Sequence, residues 1–220
     1  MTIKKFSSLE EASDHISIEG TPAVFKNSSI FVNLESNDNR IKFFPGSKVD
    51  GCTIKFHSHG SLLVVGEASK ITGNVFLGLN SNVLIGGGLT ITAAAKISCS
   101  ESTTIKIGDD CMFGVGVEIA SHDFHPIFKS DGDRLNVSKD VVIGDHVWLG
   151  NQALILKGSS IKNGVVVGAR AVFSGDSLEN SVYAGNPAKL LKSDIFWDRS
   201  SLNTTPPYKF NSIKDLPNVK

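Results

Sequence analysis

The stretch VSKDVVIGDHVWLGNQALILKGSSIKNGVVVGARAVF, residues 137–173, carries an apolar residue at every sixth position: Val137, Ile143, Leu149, Ile155, Ile161, Val167 and Phe173. The same beat runs earlier through Val65, Ile71, Leu77, Val83, Leu89, Ala95, Ile107, Phe113 and Ile119, and Glu101 is its one member plainly unsuited to an apolar place. Four positions after most of these stands a small residue, as at Ser69, Ser81, Gly87, Cys99, Cys111, Ala153 and Ala171. One aliphatic and one small inward residue per six is the mark of a solenoid of six-residue units.

Each unit reads as one flat strand plus a corner, with three units closing a triangular coil. Coils then stack at about 4.8 Å, each pairing its backbone with the next. The aliphatic fills the prism, and the small companion occupies a corner where a larger side chain would strike the coil above. The fold class is therefore all-β, a parallel β-helix. Residues 1–48 read as strands capping the first coil, 49–185 as the helix proper, and 186–220 as a tail with a short helix near Ala188 to Lys192 followed by an arm rich in proline. A solenoid needs such caps because its end coils expose unpaired edges.

Twenty-two basic residues balance 22 acidic ones in 220, so no global charge draws the chain to nucleic acid or an anionic membrane. The longest aliphatic run, Leu62 to Val65, is far too short to span a bilayer, and the first twenty residues lack the apolar segment of a secretion signal. A cytoplasmic address is expected. Cys52, Cys99 and Cys111 lack metal-type spacing and read as reduced core residues.

The beat is interrupted once, by ASHDFHPIFKSDGDRLN at 120–136. Long ordered loops carry function disproportionately, and this one holds His122 and His125 together with Asp123, Phe124 and Arg134.

His122-Asp123-Phe124-His125-Pro126-Ile127, then Ile143-Gly144-Asp145-His146-Val147-Trp148-Leu149-Gly150, then Gly185-Asn186-Pro187-Ala188-Lys189 resemble the sugar and capsular-polysaccharide O-acetyltransferases of the left-handed β-helix superfamily, over about residues 65 to 192. The resemblance implies the left hand, against the general preference for right-handed crossovers. It also implies acetyl-CoA as cosubstrate, no metal, a homotrimer with sites between subunits, and a capsular or surface sugar such as sialic acid as acceptor.

A sugar hydroxyl needs a base to take its proton, and a neutral imidazole suits that task. Motif alignment assigns the base to His125, with His122 as the alternative. The resemblance further puts Trp148, Gly150 and Asn151 at the acetyl and pantetheine groove, with the Asn151 N–H facing the oxyanion. Ala169, Arg170 and Ser174 would contact the cofactor, and Lys189 and Lys192 would meet its phosphates; Asp123, Phe124 and Arg134 would contact the sugar. The usual Thr-Lys pair is here Ser174-Gly175, which removes one phosphate contact. Three other readings stay open: an amino-sugar N-acetyltransferase, a carbonic-anhydrase-like metalloenzyme using His122, His125 and His146, and a noncatalytic solenoid.

Overall fold

The computed structural model describes residues 2–200. Three ladders of parallel strands run along the rod, one per face. The first joins Ser17–Glu19, Arg40–Phe43, Leu62–Val65, Asn82–Ile85, Thr104–Ile107, Val141–Ile143 and Ser160–Ile161. The second includes Thr90–Ile91, Met112–Phe113, Trp148–Leu149 and Val166–Val167, and the third Ala95–Cys99, Glu118–Ala120, Leu154–Ile155 and Val172–Phe173. The longer strand Lys70–Leu77 serves both, pairing through Lys70 with the second face and through Gly73 to Leu77 with the third. Gly73 makes that bend with φ +102°, and a Cβ there would lie 2.1 Å from the Ala95 carbonyl oxygen.

Pairing in register stacks like on like inside the prism. Phe43, Val65, Ile85, Ile107, Ile143 and Ile161 form one buried column, and Ile54, Val75, Ile97, Ile119, Ile155 and Phe173 another. Each such side chain contributes roughly 1.5–3 kcal/mol by leaving water. The three cysteines are buried in the same core, and burial pushes the thiols of Cys52 and Cys111 up to about 12.

The coil is longer than the sequence beat implies. Asn82 bonds to Thr104, 22 residues on, whereas past the loop Asp145 bonds to Asn163, 18 residues on. Consequently Val83 stacks beside Leu63, not beside Val65. Strand side chains alternate with period two, so any even step keeps a residue inward, and steps of six fit without fixing the true register. For the same reason the coils start earlier than expected. Strands from Ser17 onward already pair in the first ladder, inside the stretch 1–48 read as a cap. What covers the first coil is shorter: Ile3–Phe6, antiparallel to Ser29–Asn33, and the helix Leu9–Ser13, whose N-cap Ser8 accepts the Glu11 N–H.

Two further expectations are corrected. Val137 is 56% exposed, because the excursion extends over residues 121–140 and the coil resumes at Val141. Ala188–Lys192 is a strand, not a helix, antiparallel to Val182–Gly185. The last coil offers an edge of unpaired peptide groups, and returning along it satisfies them better than one isolated helical turn would. The arm beyond residue 200 lies outside the described residues. Among those described, no helix is long and apolar enough to cross a membrane.

Phe113 is wholly buried and stacks between Ile91 and Leu149. Phe113→Ala should cost about 3–5 kcal/mol in urea unfolding, and Val137→Ala less than about 0.5 kcal/mol. Equal costs would contradict this register.

Candidate active site

The residue that breaks the apolar beat holds the loop. Glu101 projects from the corner between the third and first faces, and its two oxygens take both terminal nitrogens of Arg134 at 2.8 Å each. The Ser138 hydroxyl donates to the same carboxylate. Arg134 hydrogen bonding first, then Ser138, lowers the Glu101 carboxyl to about 2. From the coil above, Lys157 grips Asp123 and donates to the Asn136 carbonyl at 3.0 Å. Asn136 in turn ties Ile127, Asp123 and His125 together through its side-chain amide. Between these anchors the segment folds as a small hairpin, with Phe128 bridged to Arg134.

This bracing places His122 against the rod. Its ring is 7% exposed and lies beside a pocket of about 380 Å³ lined by His57, Phe76, Ser100, Glu101, Phe124 and Arg134. Nε2 lies 2.9 Å from the Ser98 hydroxyl, and Nδ1 accepts the Phe124 N–H at 3.1 Å. Nδ1 therefore carries a lone pair and Nε2 the proton. Phe124 packs edge-on to the ring at 4.4 Å, and Phe76 stands 6.2 Å away on the other side. Burial lowers the His122 pKa, while Glu101 and Asp123 oppose that shift. The ring is thus held neutral near pH 7.

His125 is placed differently. It is exposed on the loop, and among the described residues its ring makes no hydrogen bond. Asp123 and Arg134 are engaged in the ion pairs that brace the loop, and Phe124, 68% exposed, forms the pocket's outer wall. Ser98, Phe76 and His57 escaped the sequence reading. Glu101 was visible as the break in the beat, and Ser98 could have been found as the outward strand position paired with Phe76 and Ala120.

A second cluster gathers at the corner between the second and third faces. Asn and Asp side chains cap corner amides: here the Asn151 amide oxygen takes the Val115 N–H, as the Asp145 carboxylate takes that of Asp109 at the corner between the first and second faces. Ala169 occupies the next place up the Asn151 stack and has no acceptor to offer, so among the described residues the Asn151 N–H has no partner. Gly150 sits tight below, where a Cβ would be 2.6 Å from the Ala169 nitrogen. Arg170 donates to Gln152, and Lys189 pairs in register with Ala184. Lys192 ends the same exposed strand, whereas Ser174 stands across the third face, on the loop's corner.

Trp148 projects from the second face, 39% exposed. Trp197 of the tail folds onto its own coil. It stacks on His146 at 4.0 Å and gives its indole N–H to the His146 carbonyl. His146 bonds to Asp110, which also holds Arg199. Because the loop leaves between the third and first faces, it lies at the corner opposite the second face. One chain therefore keeps His122 and Trp148 apart.

Glu101→Ala should cost about 1 kcal/mol of stability, since the pair is part exposed, and should make residues 121–140 the first site of limited proteolysis. The Glu101 carboxyl is depressed in the fold, so the brace is intact above the ordinary carboxylate range and is lost as pH falls through about 2. Release of the loop at pH 5 in the unaltered protein would contradict it.

The sequence pattern described as "Bacterial transferase hexapeptide (six repeats)" matches residues 140–175. A polysialic acid O-acetyltransferase of Neisseria meningitidis is 38% identical over 177 residues, covering 79% of this chain and 72% of that protein. One from Escherichia coli O1:K1 / APEC is 33% identical over 133 residues, which span 60% of this chain and 43% of the longer relative. The crystal structure of the polysialic acid O-acetyltransferase OatWY superposes with a TM-score of 0.72 at 29% identity, covering 92% of this chain and 96% of that one. This chain is a left-handed β-helix member of the hexapeptide-repeat acetyltransferase family, related to the polysialic acid O-acetyltransferases.

Proposed function

We propose that the protein transfers acetyl from acetyl-CoA to a hydroxyl of a carbohydrate, a sialic acid of a capsular or surface polysaccharide, with His122 as general base. The carrying observation is a neutral imidazole walled into a pocket and held by Ser98 and the Phe124 amide. The ring's one lone pair is on Nδ1, where it accepts the Phe124 N–H, so His122 takes a proton there once the incoming hydroxyl displaces that N–H. Ser98, bonded to Nε2, steadies the imidazolium that results. The acceptor class is supported by the names of the relatives.

Acetyl-CoA supplies the thioester. The residues present suit it: the unpartnered Asn151 N–H points from a rigid corner, as an oxyanion donor must. Gly150, Ala169 and Arg170 continue that corner, and Lys189 and Lys192 add positive charge at its end. Trp148 would wall the acyl group. Since one rod holds Trp148 and His122 on different sides, the complete site needs more than one copy, as a homotrimer would supply. The exposed Phe124, Ile127, Phe128 and Leu135 on the loop give the apolar surface such a contact requires. A cytoplasmic address belongs to the same reading.

Turnover of labelled acetyl-CoA with oligosialic acid tests the base. His122→Ala should lose about 10²–10⁴-fold in kcat/KM, with His125→Ala little changed; the reverse result would move the base to His125. Burial lowers the His122 pKa, so activity should persist as pH drops beneath the usual histidine value of about 6.5 and fail only below that. An acid limb at or above that value would contradict a buried base.

A further inference from the structure

The third face carries an ordered row of outward side chains below His122. Lys5 pairs in register with Phe31, Phe31 with Lys55, Lys55 with Phe76, and Phe76 with Ser98, which holds the imidazole. Cation and ring therefore alternate from strand to strand, beginning on the cap strand, at about 4.8 Å a step. Lys55 is exposed, its ammonium 5.5 Å from the centre of the Phe31 ring. Among the described residues neither Lys5 nor Lys55 has a carboxylate partner, unlike Lys96 on the neighbouring row, which is paired with Glu118. A groove of about 330 Å³ on this face has Lys55, Phe76, Lys96, Ser98, Glu118 and Phe124 in its lining, the Glu118 carboxylate being paired with Lys96, and it meets the His122 pocket at two shared rings.

We infer that this row is an extended subsite for an anionic glycan, which lies along the rod from its N-terminal end and delivers one sugar to His122. Aromatic rings receive the apolar faces of sugars, and the intervening ammonium groups meet carboxylates. Neither lysine supports the prism, since both point away from it. The mirror arrangement at the other end, with Lys189 and Lys192 beyond the Asn151 corner, leaves that side for the acetyl donor. The inference rests on His122 being the reacting group, but it makes a separate claim: affinity grows with chain length because the polymer occupies several coils.

Binding of oligosialic acids of about three and about ten residues is measured calorimetrically at low and moderate salt, beside turnover on both. The unaltered protein should bind the longer probe more tightly, and salt should narrow the difference by removing the ionic part. Lys5→Glu/Lys55→Glu should weaken the longer probe at least about tenfold, leave turnover of the short one unchanged, and be rescued by Lys5→Arg/Lys55→Arg. Phe31→Ser should weaken the longer probe without changing the salt dependence; circular dichroism confirms that each variant is folded. Equal affinity for both lengths, or a double reversal with no effect on the longer probe, would overturn the subsite. Full turnover of the short probe by His122→Ala would instead count against the base assignment and leave the length-dependent binding untouched, so the two failures differ.

Discussion

Parallel backbone pairing between successive coils is the constraint from which the rest follows. Each ladder fixes its neighbour's register, and the register stacks apolar on apolar from Phe43 to Ile161. A coil cannot slip by one residue without turning its inward set to solvent. The outside of the rod is then free to vary, because outward positions bear no part of the core. Functional side chains occupy these positions at spacings set by the coil.

The loop uses that rigidity. It is ordered through two ionic grips on coils below and above it, Glu101 with Arg134 and Lys157 with Asp123. Together they press His122 into a place where burial keeps it neutral. Its neutral state thus depends on how the loop is braced against the rod. At the corner between the second and third faces Ala169 follows Asn151 in the stack with no side-chain acceptor, which leaves the Asn151 amide available.

Much of this was legible from the chain. Hydrophobic period, small corner residues and a single long interruption lead to the solenoid and its loop, and the HP, GDHVWLG and GNPAK segments lead to the family. Coil length was not legible, because alternation within strands tolerates any even step. The strand at Ala188–Lys192 was also hidden, since it depends on an open edge that local propensity does not encode. The contrast between His122 and His125 came from tertiary contacts: two imidazoles three residues apart look alike until Ser98, 24 residues away, closes on one of them.

The shortening of the coil at the loop has a geometric effect. Third-face strands span five residues at Ala95–Cys99 but two at Leu154–Ile155. A wide turn beneath a narrow one leaves a ledge, and the excursion rests on it, with Ser100 and Glu101 at the rim. The hollow beside His122 is therefore enclosed by the wide coils below, through His57, Phe76, Ser100 and Glu101, and by the excursion above them, through Phe124 and Arg134.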